Sequence, residues 1–272
     1  MSFLILSILC SVIIANLMVA FNRDNKSDIL LIFLGNYFTA TIFSLISNKS
    51  PFSDIRPFEL IAGGLSGILF LVNFLIYRKN IMVNGMSLSV SIMRISLVIP
   101  ILVSLFFFRE SIFFFNFIGI GLILLSFILM ADAGTFRSLG WIFMLIFVTG
   151  ISETAMKIYN EFGLPNHSLF VLILFASALL TNLIIILYKR KKITQKSFGQ
   201  GMILGIPNQL TTVFFLKSLK SIPASTAFPL FASGVVVICI FSDMFFWKKT
   251  FTLKQKLIFA VMIVGIAFLN IQ

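Results

Sequence analysis

The sequence predicts an all-α integral membrane protein with ten transmembrane helices, arranged as two inverted five-helix repeats. Three observations lead there. Hydrophobic residues make up 59% of the 272 positions and charged residues 11%, so too few polar side chains remain to cover a water-soluble surface once a core is filled. The apolar residues gather into ten runs of about 20 residues, separated by short loops rich in Lys and Arg. In hydrocarbon a helix satisfies its backbone hydrogen bonds within one segment, and roughly 20 residues cross a core roughly 30 Å thick. Finally, the chain repeats itself at an offset of about 139 residues.

The first span is expected at 2–21. It has no positive n-region and no small-residue cleavage site before Phe21-Asn22, so it reads as a retained helix. The second is expected at 29–47 and the third at 58–77, where Gly63, Gly64 and Gly67 suit close helix packing. The fourth, 83–107, starts with small residues, holds Arg94, and contains Pro100, which removes a backbone donor and can kink it. The fifth is 112–131, and the sixth, 139–160, contains Glu153 and Lys157. The seventh, 167–188, opens on His167, the sole histidine, read as interfacial. The eighth, 199–217, carries Gly201, Gly205 and Pro207, whose expected effect is a break that frees carbonyls. The ninth is 223–247 and the tenth 255–271. Even the longer loops, 48–57, 132–138 and 189–198, are too short for a soluble domain, so function must lie in the bundle or at its mouths.

A net charge of +12 would point a soluble protein toward nucleic acid. Here 19 of the 21 basic residues sit in loops or at span ends and read as membrane-orienting charge, so no nucleic-acid partner is expected. Cys10 and Cys239 lie inside apolar spans with no Cys-x-x-Cys or Cys/His grouping, which argues against a disulfide framework or a metal site. The 34 Phe residues fit an A+T-rich coding sequence as well as any aromatic role.

The repeat lays spans one to five over spans six to ten, giving halves 1–137 and 138–272 within one membrane domain. Its clearest overlap pairs the stretch around Arg109-Glu110 with the one around Lys248-Lys249. Each half holds an odd number of spans, so equivalent loops fall on opposite faces and the repeat is inverted. Inverted repeats are the architecture of many secondary transporters, whose site lies near the midplane between the halves. In the fourth span Asn84, Gly85, Ser87, Ser89 and Ser91 form a small-residue opening, FFFRESI supplies Glu110 at its end, and Gly119 follows nine residues on. Pro223, Ala224, Ser225 and Thr226 open the ninth span, whose terminal charged pair is WKKTF instead of an acidic motif. Gly150 and Lys157 in the sixth span match a Trp-Gly-six residues-Lys pattern with Thr149 in place of the Trp, while the first span keeps neither the Trp nor the Lys. In these features the chain resembles the drug/metabolite transporter superfamily, in its ten-helix EamA branch, over essentially its whole length. The resemblance implies a transporter of small metabolites or drugs, most often an exporter.

Intramembrane polar residues mark the expected substrate site. Arg94 lies eleven residues into its span, where a guanidinium costs roughly 2.5–3.5 kcal/mol, so it must face a cavity or a partner. Ser87, Ser91 and Arg94 share one helix face, a stripe suited to an anionic group. Glu153 suits a substrate amine or an exchanged proton, the expected coupling in a protein with no cofactor. The alternative is that Glu153 pairs with Lys157, four residues on, within the helix. Arg94 with Glu153 would suit a zwitterion such as an amino acid. Asn16, Asn73, Asn208, Gln209, Thr211 and Thr212 are further candidates, each equally explained as helix-to-helix hydrogen-bond glue. Glu59, Asp132 and Asp243 are expected to be solvated near span ends.

The odd-numbered loops hold 14 basic residues and the even-numbered loops 5. By the positive-inside rule the odd loops are cytoplasmic and the termini outside, whereas the family resemblance implies cytoplasmic termini. The expected location is the cytoplasmic (inner) membrane of a bacterium, with lipid and a small-molecule substrate as partners, as a monomer or homodimer. Lipophilic cations, or phosphorylated sugars and nucleotide sugars read by Arg94 with Lys157, are the alternative substrates. A membrane enzyme would need clustered acidic or His residues, and the nine acids are scattered. A non-transporting scaffold has no reason to bury Arg94.

Overall fold

A computed structural model describes residues 1–22, 28–48, 50–84, 86–130, 138–246, 248 and 250–270, and for Asn22, Met86, Ser87, Leu88, Val90 and Ser91 the backbone alone. Among the described residues the regular structure is entirely helical: α1 (Ser2–Asn22), α2 (Ile29–Ile46), α3 (Pro57–Asn84), α4 (Met86–Ile95), α5 (Val98–Phe106), α6 (Phe114–Met130), α7 (Leu139–Phe162), α8 (Ser168–Tyr188), α9 (Gln195–Ser218), α10 (Ala224–Phe245) and α11 (Leu253–Leu269), with one 3₁₀ turn at Phe52–Asp54. Among the described residues these helices make ten spans, α4 and α5 together forming the fourth. Six helices (α1, α2, α3, α7, α8 and α10) are individually long and apolar enough to cross a membrane. Phe106, Phe107, Phe114, Phe147, Phe162 and Phe246 stand among the exposed large side chains, while Ser66, Ser89, Ser96, Ser104 and Ser126 are buried. A protein solvated by lipid has this distribution, because apolar side chains gain nothing by leaving hydrocarbon and polar ones must find partners inside.

Helix ends follow local chemistry. Asp28 caps α2 by accepting the Leu30 N–H at 2.9 Å, Pro57 opens α3 where its missing donor costs nothing, and Thr252 with Gln255 forms a capping box on α11. The third span runs seven residues past its expected end at 77. Its last turns stay helical because Asn80 donates to the Trp141 carbonyl (3.4 Å) and Asn84 exchanges hydrogen bonds with Ser138, partners on and beside α7. Lys79 lies 6.0 Å from the Trp141 ring, so the Arg78-Lys79 pair, read as a loop, belongs to a helix.

The fourth span breaks at Ser96–Leu97. Pro100 has no N–H to offer the Ser96 carbonyl four residues back and crowds it. The Ile99 N–H takes that carbonyl instead, at 3.0 Å in 3₁₀ fashion, and a new helix starts at Val98. Pro207 acts differently. α9 runs unbroken through it from Gln195 to Ser218, so the expected break in the eighth span is absent.

Two compact units appear. Unit 1 comprises Met1–Leu71 and Ile158–Lys220, and unit 2 comprises Val72–Lys157 and Ser221–Gln272, so each draws on both halves of the chain. In unit 1, α2 packs most extensively on α9 and also on α8, and α1 packs on α9. A Cβ at Gly35 would overlap the Phe198 carbonyl, and one at Gly201 the Ile32 carbonyl, so the α2–α9 backbones touch because both positions are glycine. In unit 2, α6 packs on α11 with the Gly265 carbonyl 2.8 Å from where a Gly119 Cβ would stand, and Asn116 donates to the Leu269 carbonyl at 2.8 Å.

The ends of α5 and α10 match one another at the 139-residue offset. Phe107 and Phe246 are their C-caps, with φ and ψ of −93° and −40° against −91° and −40°, and Arg109 and Lys248 both take a φ of 51°.

Candidate functional site

The ionisable side chains expected inside the membrane all belong to unit 2. Arg94 sits in the last turn of α4, immediately before the break that Pro100 creates. Its Nε is buried without a hydrogen-bond partner, as is Oε2 of Glu153 on α7. Neither residue belongs to a direct ion pair among the described residues, yet the charge of Arg94 acts on both Glu153 and Tyr77 of α3. On the same helices the Thr149 hydroxyl donates to Asn73 Oδ1 at 2.7 Å, joining α7 to α3. Thr149 occupies the position where the family pattern has Trp.

Lys157 is engaged with a residue other than Glu153. Its Nζ lies 2.7 Å from Glu110 Oε1 in the 107–113 connection, with the lysine side chain 4% and the glutamate side chain 12% exposed. The intrahelical Glu153–Lys157 pair is therefore not what neutralises this lysine. The same carboxylate caps α10: Oε1 accepts the Ala224 N–H at 3.0 Å and Oε2 the Ser225 N–H at 2.9 Å. The N-cap of α10 is Pro223, which has no side-chain acceptor, so the orphan donors of the first turn are met from 114 and 115 residues away. Burial pulls the Glu110 carboxyl upward, but Lys157 and the two backbone donors outweigh it and hold it below the ordinary carboxylate range. Lys157 also lies 4.9 Å from the Phe108 ring. Sequence reasoning singled out Glu110 and Lys157 separately through the family motifs. No signal in one sequence joined them to each other or to α10.

The remaining candidates fall in unit 1 and serve its packing. Asn208 donates to Asn36 Oδ1 at 3.2 Å, and Gln209 reaches Ser47 at 3.5 Å, both across the α2–α9 contact. Thr211 and Thr212 donate to carbonyls four residues back, at Pro207 and Asn208, and Asn16 does the same to Val12. Gln209 Oε1 is buried without a partner. The side chains of Ser87 and Ser91 lie outside the described residues, as do Asp132, Gly85 and Lys249.

One expectation about span ends is corrected. Glu59 is not solvated by the interface: its side chain is 0% exposed, paired with Arg56, and accepts the Leu164 N–H at 3.2 Å. His167 is buried as well, edge-on to Tyr159 at 5.7 Å, with Tyr159 stacked between Phe58 and Phe170. Burial, with Lys220 and Lys217 nearby, pulls the His167 imidazole down to about 4.

Residues 137–271 match the EamA-like transporter family. The chain belongs to that family. It is 26% identical to an uncharacterized protein of Haemophilus influenzae over 255 residues, covering 87% of this chain and 86% of the relative. A crystal structure of a protein with 12% identity superposes with a TM-score of 0.77, covering 99% of this chain and 98% of that one, which shows a shared fold. As an EamA-like transporter the chain is a multi-pass membrane protein that moves small solutes, with lipid around it.

Proposed function

We propose that this transporter exports small metabolites carrying both an anionic group and an amine, such as amino acids, across the cytoplasmic membrane of a bacterium. Arg94 holds the anionic group, and Glu153 accepts the amine or, in exchange, a proton. The observation that carries this reading is the pair of buried, unpaired atoms, Arg94 Nε and Glu153 Oε2, on neighbouring segments of one unit. A structural ion pair would be closed. Two charges taken out of water and left incompletely partnered cost several kcal/mol each, a cost retained where a ligand supplies the missing partners. With Lys157 held by Glu110 in the described state, Arg94 is left as the cation for the substrate, which favours a carboxylate over the phosphorylated sugars.

Transport proceeds by alternating access between two inverted repeats. Supporting this, the matched ends of α5 and α10 recur at the repeat offset, and the equivalent second and seventh spans (α2, α8) and fifth and tenth spans (α6, α11) pack on each other. The loop charge count places the odd-numbered loops in the cytoplasm. A single cysteine introduced at Gln195 should then resist an impermeant thiol reagent in intact cells. Labelling there, with a protected C-terminal site, reverses the orientation.

The substrate is tested by thermal-shift screening of purified protein against amino acids, amines, nucleosides and sugar phosphates, since a ligand that binds the folded state stabilises it by mass action. A zwitterionic amino acid is expected to stabilise the protein. Stabilisation by lipophilic cations alone, with or without Arg94, overturns the reading.

A further inference from the structure

Glu110 rests in a site whose donors suit any carboxylate. Lys157 Nζ at 2.7 Å, Ala224 N at 3.0 Å and Ser225 N at 2.9 Å converge on its two oxygens. Two of these donors are the first turn of α10, a 22-residue helix whose dipole favours negative charge there, and the third is a buried ammonium. The buried Ser225 hydroxyl also acts on the Glu110 carboxylate and favours its charged form. The occupant arrives on the 107–113 connection, which turns through the left-handed conformation of Arg109. A carboxylate cap demanded by the repeated architecture would recur 139 residues on, but Lys249 stands there, with the opposite sign. Lys157 lies one helical turn beyond Glu153 on the same face of α7, so these donors adjoin the proposed substrate site.

We propose that Lys157 and the first turn of α10 form a second anion-binding site, which Glu110 fills as a tethered ligand and which accepts a free carboxylate, such as that of the solute, when the 107–113 connection moves away. This rests on the reading that the transported solute is anionic at one end. Tethering gives Glu110 a high effective concentration, so it excludes weak free anions while it stays in place.

The test uses acetate as probe, added at constant ionic strength to the purified full-length protein, with thermal stability as readout. In Glu110→Gln the half-saturating acetate concentration is expected to fall by about tenfold or more relative to the unsubstituted protein. The gain should persist when Arg94→Gln is added and vanish when Lys157→Gln is added. No gain in Glu110→Gln, or a gain that survives loss of Lys157, overturns the proposal and leaves Glu110 as a structural cap. If Glu110→Gln does not fold, Glu110→Asp, which withdraws the carboxylate by one methylene, should show the gain in the same direction, and its absence is equally decisive. The Arg94 arm separates the two readings. A gain independent of Arg94 supports the second site even if amino acids prove not to depend on Arg94.

Discussion

Unit 1 closes its longest helix contact with glycine. Gly35, Gly201 and Gly205 let α2 and α9 approach until backbone meets backbone, and the amides along the contact, Asn36, Asn208 and Gln209, reach across it. Its charged pairs lie at helix ends, as in Arg56–Glu59 and Lys191–Asp28. Unit 2 instead takes Arg94, Glu153 and Lys157 into its helices, and one of its helices is broken beside the arginine. The difference teaches where to look for function. In hydrocarbon, close packing of small residues and neutral hydrogen bonds suffices to associate helices, so the charges of unit 2 are not required for association and call for another explanation. Lys157 finds it in Glu110, whereas Arg94 Nε and Glu153 Oε2 have no hydrogen-bond partner among the described residues.

The comparison breaks most visibly at Lys157. Lys157→Met leaves Glu110 buried beside two N–H donors without its cation, and is expected to cost about 3–5 kcal/mol. Adding Glu110→Gln should recover part of that loss, which a double-mutant cycle from thermal or denaturant unfolding measures. If the two losses simply add, the pair contributes no coupling. Next in size is Gly201→Val in unit 1, where any Cβ overlaps the Ile32 carbonyl and the expected cost is about 1–3 kcal/mol. Recovery of folded protein in size-exclusion chromatography and its unfolding temperature report this. Unchanged values would mean that the α2–α9 approach is looser than described.

Acid sharpens the comparison. The folded-state value of Glu110 is depressed, so its contribution is fully present above the ordinary carboxylate range and is lost as pH falls through the lower folded value. Glu110→Gln should therefore be less stable than the parent near neutrality, and the gap should close below about pH 4. His167 in unit 1 also falls to about 4, and as a base it lets the unfolded chain bind the extra proton between about 6.5 and 4. Stability should decline across that window by up to about 1.4 kcal/mol per pH unit, and His167→Gln should flatten the slope. A slope unchanged by the substitution assigns the acid sensitivity elsewhere.

The number of spans and the rough bounds of most of them were legible in the sequence, because the bilayer forces apolar length and charge onto separate stretches. Helix ends held by tertiary partners were not: nothing local announces that Asn80 will meet Trp141, or that Arg78-Lys79 continue a helix. Proline was ambiguous for a physical reason. The same missing donor splits the fourth span at Pro100 and leaves α9 continuous at Pro207, because neighbouring packing decides whether the freed carbonyl ends the helix. The least legible feature is the Glu110 cap on α10, a contact across more than a hundred residues with no periodicity to betray it. Glu59 and His167 looked interfacial by position and are buried by contacts with the 164–170 region and α7.

The central claim, that Arg94 and Glu153 await a ligand, is tested most directly by ligand-dependent thermal stabilisation of three purified proteins: the parent, Arg94→Gln and Arg94→Lys. Without ligand, Arg94→Gln should be at least as stable as the parent, because the guanidinium closes no ion pair among the described residues and its desolvation cost is removed, yet it should lose the amino-acid-dependent rise in unfolding temperature. Arg94→Lys keeps the charge without the planar fork and should retain only a fraction of the rise. A variant Arg94→Gln that binds amino acids as the parent does, or that loses several kcal/mol without ligand, would contradict the account and make Arg94 a structural residue.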